Sequence, residues 1–330
     1  MTETNTPSGH SPGAGQPSLA DSSPAVRRPV DGVLLLDKPL RLSSNAALQR
    51  AKRLYRAEKA GHTGTLDPLA TGLLPICFGE ATKFANLLLD ADKTYLATLR
   101  LGATTTTGDA EGEIVSERPV TVTRDDLERV LPRFRGQIAQ IPPRYAALKR
   151  DGRSYYEYAR EGVEIPRDAR KVAIHALEIV DWRGLETDLS VKCGKGTYVR
   201  ALAEDIGEAL GCGAHLSALS RTAAGDFLLA DAVGLEALEA RSECERDGML
   251  LSVDALVSRL DRIDLDAAEA QRLAYGQALA RSPSRDGAVR VYAGGAFAGV
   301  AEIRDGVIRA RRMLAQDDSR SAGVASRRGP

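Results

Sequence analysis

Between Gly61 and Gly72 the chain reads Gly-His-Thr-Gly-Thr-Leu-Asp-Pro-Leu-Ala-Thr-Gly, and Asp67 is its only acidic residue. Pro68 disfavours the helical region for Asp67 and pushes it toward an extended backbone. Gly61 and Gly64 permit backbone angles that other residues resist. A turn built this way fixes where one acidic side chain points, so Asp67 is a candidate for chemistry. The competing reading is an ordinary Asp-Pro turn whose aspartate caps a short helix over Leu69–Leu74. A second candidate stretch is Lys192-Cys193-Gly194-Lys195-Gly196-Thr197-Tyr198-Val199-Arg200, which runs into a helix. Taken alone, Arg200 at a helix start reads as a surface cation.

The stretch from Gly61 to Lys83, GHTGTLDPLATGLLPICFGEATK, resembles the catalytic motif of the TruB family of tRNA pseudouridine synthases. Similarity extends over roughly Gly32–Phe227 and more loosely beyond. A motif this long and ungapped is far more specific than a short pattern. The resemblance implies that Asp67 is the essential carboxylate of an isomerase. In that reaction uracil leaves C1′ of its ribose, turns, and rejoins through C5. Asp67 either attacks C1′ or removes the C2′ proton. Both roles need an ionised carboxylate, which a neighbouring cation favours. Arg200 matches the family's basic residue, and a guanidinium can hold a carboxylate through two parallel hydrogen bonds.

The same resemblance assigns Tyr95 to the active site, stacked on the target base; without it, Tyr95 is a strand tyrosine in the core. His62 matches the residue that fills the stack when the base is extruded, where a histidine in a glycine turn is otherwise a local hydrogen-bonder. Lys38, Tyr198 and Leu219 match positions around the pocket. Asp109 either braces Arg200 or simply makes an Asx-turn. Lys149 and Arg150 fall in the family's RNA-gripping insertion and are expected to bind substrate. The implied substrate is a T-loop uridine of tRNA, conventionally position 55. Two other functions remain: the guide-RNA-dependent relative, and a tRNA-binding or folding module without turnover.

With 330 residues, the chain has room for about two domains. No apolar run of ~18 residues spans a membrane, and the start lacks a secretory signal, so a cytoplasmic monomer is expected. Cys77, Cys193, Cys212 and Cys244 are scattered, which argues against zinc or a disulfide framework. His10, His62, His175 and His215 form no ligand cluster, and the exchange is redox-neutral, so no metal or cofactor is expected. Net charge is zero. Its distribution is uneven, with four cations and one anion over Arg144–Arg153, against six anions and three cations over Val233–Leu260. The first segment suits phosphate; the second reads as a solvated acidic stretch.

The elements that must position these groups follow from the pattern. Residues 1–29 are Ser, Pro and Gly rich and read as a disordered tail. Val33–Leu36 is a buried strand, and Ser43 or Ser44 caps a helix to about Tyr55. Arg41 stands where the family usually has glycine. Ala81–Leu89 reads as a helix, Thr94–Leu101 as a strand, and Thr123 as a cap followed by Asp125 and Asp126. The segment 140–170 opens at Pro142-Pro143 and carries Tyr155, Tyr156 and Tyr158, a cation–aromatic mixture suited to gripping RNA; two of these tyrosines are expected to pack on the core. Val172–Trp182 and Leu185–Cys193 pair around Gly184, a helix over Ala201–Leu210 ends at Gly211, and Ala214–Phe227 returns as a strand. These give an α+β fold: a mixed, largely antiparallel sheet with flanking helices over 30–262, and a small β-rich, PUA-like module over 263–315. Residues 316–330 read as a second disordered tail.

Overall fold

The run Val33–Leu36 has no polar face to show to water and becomes the buried strand β1 (Gly32–Lys38). The computed structural model describes residues 26–146, 148–280 and 285–315. Most of the expected tail 1–29, all of 316–330, and His10 lie outside the described residues. The described end of the first tail is held: the Arg28 amide donates to Arg56 O at 2.8 Å, and its guanidinium pairs with Asp247.

Ser43 caps α1 (Ser44–Leu54), its hydroxyl accepting from the Ala46 amide at 3.1 Å. Then come β2 (Ala60–His62), β3 (Ala70–Phe78), α2 (Ala85–Leu89) and β4 (Lys93–Leu101). The polar turn after it joins β5 (Ala103–Thr105) to β6 (Ile114–Glu117). Helix α3 (Arg124–Val130) opens on reciprocal Thr123–Asp126 bonds. Strand β7 (Gly136–Gln140) leads into the insertion, which holds β8 (Lys149–Arg150), β9 (Arg153–Ser154) and α4 (Tyr155–Arg160). The pair β10 (Arg170–Trp182) and β11 (Glu186–Cys193) flanks Gly184, and α5 (Val199–Leu210) stops at Gly211 with φ 80°. Strands β12 (Ala214–Ala224), β13 (Phe227–Leu228) and β14 (Val233–Gly234) precede α6 (Leu235–Glu239) and α7 (Glu243–Asp247).

The large sheet runs β14-β1-β3-β12-β4-β11-β10-β7, with β2 beside β3 and β13 beside β12. Only β1–β14 and β3–β12 pair in parallel among the described strands of this sheet, so it is mixed and largely antiparallel, as expected. Helices α1 and α6 cover a core around Leu36, Tyr55, Ile76 and Phe78. Helices α3 and α5 cover another around Leu99, Leu177, Leu189 and Ile206. The C-terminal module consists of β15 (Asp261–Leu265), α8 (Ala267–Ala274), β16 (Leu279–Ala280), β17 (Gly287–Ala293), β18 (Ala296–Arg304) and β19 (Val307–Met313), in the order β15-β17-β18-β19-β16. Phe297 of β18 meets Phe84 edge-on at 5.5 Å and seats the module against the large sheet's side.

Three expectations are corrected. Leu69–Leu74 is not a capped helix; it enters β3, which is paired along its length with β1 and buried on both faces. Such two-sided burial produces a continuous apolar run whose period distinguishes nothing. Ala81–Leu89 is broken at Phe84 into a 3₁₀ turn and α2, with the Phe84 ring buried at the break. The acidic stretch is not merely solvated. Glu239 binds Arg50 and Glu243 binds Arg56, each at 2.6 Å, and Asp247 binds Arg28.

Candidate active site

The loop between β2 and β3 is held by three separate parts of the chain. The buried Ser44 hydroxyl, in the first turn of α1, donates to Leu66 O at 2.8 Å and accepts from the Leu66 amide at 2.7 Å. The Arg41 amide donates to Pro68 O at 2.8 Å. Arg221, on β12, donates from Nε to Leu73 O at 2.7 Å and from Nη2 to Gly64 O at 3.1 Å. Asp67 is thereby fixed with its side chain 45% exposed at the floor of a cleft of about 310 Å³.

Arg200 enters from the first turn of α5, with its side chain 7% exposed. A cation there runs against the helix dipole, and the carboxylates around it offset that cost. Its Nη2 lies 2.9 Å from Asp67 Oδ2 and donates to Tyr145 O at 2.8 Å. Nη1 donates to Thr107 O at 3.3 Å, and Nε lies 3.6 Å from Asp109 Oδ2. The expected two parallel bonds to one carboxylate are absent: Nη2 is the guanidinium atom that meets Asp67, while Nη1 turns to Thr107 O and Nε to Asp109.

Asp109 combines the two roles weighed for it. Its Oδ1 accepts from the Glu111 amide at 3.1 Å in an Asx-turn, while Oδ2 faces Arg200. Strand register aligns the remaining wall: Arg221 stands opposite Gly72 on β3 and Tyr95 on β4, and Leu219 opposite Ala70 and Ala97. Burial raises the Tyr95 hydroxyl pKa, with the Arg221 guanidinium working against the rise. Tyr198, the residue before α5, completes the lining.

The cleft thus brings together Asp67, Tyr95, Tyr198, Arg200 and Leu219. Lys38 is fully buried behind the loop, donating to Pro39 O at 2.9 Å and Leu42 O at 2.6 Å. Burial lowers its pKa to about 8, and Asp67 pulls it back upward. His62 is half-buried on β2, its Nδ1 buried without a hydrogen-bond partner, and burial and Arg221 lower its pKa. Lys149 and Arg150 lie on the insertion's hairpin, outside the cleft lining, with Arg150 Nη1 donating to Pro166 O at 2.9 Å. Of the insertion's tyrosines, Tyr155 is buried, Tyr158 half-buried and Tyr156 exposed. Cys193 also lines the cleft, but burial pushes its thiol up to about 11.

Three residues of the site escaped sequence reading. Arg221 is 1% exposed, and its signal was a lone arginine in a strand directly after Leu219-Ser220. Ser44 was seen only as a possible cap. Gln140, 1% exposed, was seen only as the start of the insertion.

Comparison with known proteins returns three family models that follow one another along the chain. Residues 52–199 match the TruB family pseudouridylate synthase N-terminal domain. Residues 200–264 match the tRNA pseudouridylate synthase B C-terminal domain, and 262–314 the C-terminal model of pseudouridine synthase II TruB. The tRNA pseudouridine synthase B of Azoarcus sp. (strain BH72) is 58% identical over 289 residues, covering 88% of this chain and 96% of that one. That of Cupriavidus metallidurans is 58% identical over 299 residues, covering 87% and 95%. Among solved structures, a Cbf5-Nop10-Gar1 complex is similar with a TM-score of 0.64 at 25% identity, covering 86% of this chain and 85% of that one. An H/ACA RNP bound to a substrate RNA containing 2'-deoxyuridine shares the fold, with a TM-score of 0.65 at 22% identity, covering 86% and 85%.

Proposed function

The chain belongs to the TruB family of pseudouridine synthases, and on that premise we propose that it converts the T-loop uridine of tRNA, position 55, to pseudouridine. The observation that carries this reading is the Asp67–Arg200 pair at 2.9 Å in a cleft of about 310 Å³ beside Tyr95. A base still stacked in an RNA loop cannot reach such a cleft, so the uridine must be extruded, at a cost of a few kcal/mol. His62 sits at the loop's entry on β2 and is the residue to fill the vacated stack. Tyr95 then supports the base. The bond from C1′ to N1 breaks, the uracil turns, and the bond from C1′ to C5 forms; C5 loses its proton and N1 gains one. Asp67 either attacks C1′ or removes the C2′ proton, and Arg200, 2.9 Å away, keeps it aimed in both cases.

The exchange neither gains nor loses electrons, so the residues named suffice without a redox group. Residues 30–262 form the catalytic unit in this reading, with 140–170, including Lys149 and Arg150, gripping the T arm and the PUA-like module 263–315 adding RNA contacts. The chain acts as a cytoplasmic monomer on free tRNA. Its 58% identity to enzymes named tRNA pseudouridine synthase B, against 25% to a chain in a multi-protein complex, favours this over guide-RNA dependence.

Release of tritium from C5-labelled uridine in a bare tRNA transcript tests the proposal. The purified chain should release one tritium per tRNA, and the Asp67→Asn variant none, while binding tRNA within about tenfold of wild type, ~1.4 kcal/mol. An inactive wild-type chain on bare transcript would sink the reading. Asn keeps the shape of Asp but can neither attack as an anion nor take a proton, so both routes fail together.

A further inference from the structure

Gln140 is the last residue of β7 and the first of the insertion, and its side chain turns away from solvent, 1% exposed. Its amide binds both main-chain groups of one residue: Nε2 donates to Tyr198 O at 3.2 Å, and Oε1 accepts from the Tyr198 amide at 3.1 Å. Tyr198 precedes α5 and provides no side-chain cap of its own. The Gln140 amide therefore does for this turn what a neighbouring strand does in a sheet. It fixes the main chain two residues before Arg200.

The same arm of the insertion also touches Arg200 directly. Tyr145 O accepts from the Nη2 that also faces Asp67. The Tyr145 ring meets Tyr156 of α4 edge-on at 5.7 Å, and Arg167 Nη1 donates to Pro142 O at 2.9 Å, tying the outgoing arm to the incoming one. Two links five residues apart in the incoming arm thus reach the start of α5: Tyr145, packed on α4, holds Arg200, and Gln140 holds Tyr198.

We propose that Gln140 is a positioning residue that couples the placement of the RNA-gripping insertion to the direction of Arg200 and hence to Asp67. The inference rests on the proposed function. RNA held by the insertion tightens the β7 end; Gln140 carries that order into Tyr198; Arg200 is then aimed at Asp67 before the base arrives. The side chain touches no substrate.

Gln140→Ala removes both bonds. Gln140→Glu keeps the volume and the acceptor but, ionised, cannot donate to Tyr198 O; protonated, it can. With wild type as the active control, single-turnover pseudouridine formation should fall about 100-fold in Gln140→Ala, as expected for misplacement near 1 Å, with tRNA affinity within threefold. In Gln140→Glu the rate relative to wild type should climb as pH falls, while Gln140→Ala shows no such climb. A purely structural role would not give that difference. A second readout needs no turnover: binding of a T-arm stem-loop RNA should slow amide exchange at Val199–Leu202 in wild type, and in Gln140→Ala only within the insertion. The inference is overturned by a rate within threefold of wild type, by losses of rate and affinity that match, by flat relative pH profiles for both variants, or by unchanged exchange coupling. Absence of turnover in wild type would instead strike the functional reading, and the exchange measurement would still decide the coupling.

Discussion

Replacing Arg200 by lysine keeps the positive charge and removes the planar fork. In the wild-type site Nη2 serves Asp67 and Tyr145 O at once, Nη1 serves Thr107 O, and Nε faces Asp109. One ammonium cannot reach these four directions. Asp109 is almost wholly buried and Asp67 half exposed, so the ammonium settles toward Asp109, where water offers the least competition. Asp67 is then solvated but no longer aimed. The pair itself, open to water on the Asp67 side, accounts for only about 1 kcal/mol of stability. Losing the charged donors to two carbonyls adds roughly 1.5–3 kcal/mol for each. For the reaction, a carboxylate displaced by about 1 Å costs on the order of 100-fold, or about 2.7 kcal/mol of barrier. Single-turnover formation of pseudouridine at saturating enzyme reads the chemical step; filter binding reads affinity. Affinity should stay within about threefold, ~0.7 kcal/mol, because a buried guanidinium offers nothing to a phosphate. A single-turnover rate within threefold of wild type, or an affinity loss as large as the rate loss, would refute the reasoning.

Gly72→Ala should destabilise the fold by about 3 kcal/mol in denaturant melts, because φ is +97° and a Cβ would stand 2.5 Å from Arg221 O and 2.8 Å from its N; a loss under 1 kcal/mol would mean that β3 and β12 part easily. Arg41 adopts φ 64°, so Arg41→Gly should be stabilising by up to about 1 kcal/mol, and a drop in melting temperature would show that its side chain holds something. The folded state depresses the His62 pKa below its ordinary 6.5, so on acidification the unfolded chain takes up a proton that the folded one refuses, and stability falls below pH 6.5. His62→Gln should remove that share of the acid loss, seen as a shallower fall of the denaturation midpoint from pH 6.5 downward; identical slopes would reject it.

Elements whose signals are local were legible in the sequence. The Ser43 cap, the Thr123–Asp126 box and the Gly211 stop all lie where their residue types indicate. The Asp67–Arg200 pair was legible only through resemblance, since nothing in either stretch refers to the other. Ser44, Gln140 and Arg221 were missed for a common reason: each acts on main-chain atoms 22 to 157 positions away, and a carbonyl oxygen leaves no mark in a sequence. The acidic stretch was misread likewise, its cationic partners lying near 190 residues earlier in the chain. Arg41 shows the opposite case: the sequence marked it as a departure from the family's usual glycine, and its φ of 64° shows that the turn keeps a left-handed backbone without one.

The parallel pairing of β3 with β12 joins segments about 148 residues apart. At a synthesis rate of roughly 5–20 residues per second, Leu73 waits about 7–30 s on the ribosome for Arg221. Throughout that interval the 70–72 end of β3 lacks the strand that later pairs with it, the kind of open edge that recruits other chains. The half-made enzyme is therefore a client for chaperones, and its hazard is greatest just before the site closes. A chain released early, before β12, has no partial activity to offer the cell; it has only an unfinished sheet.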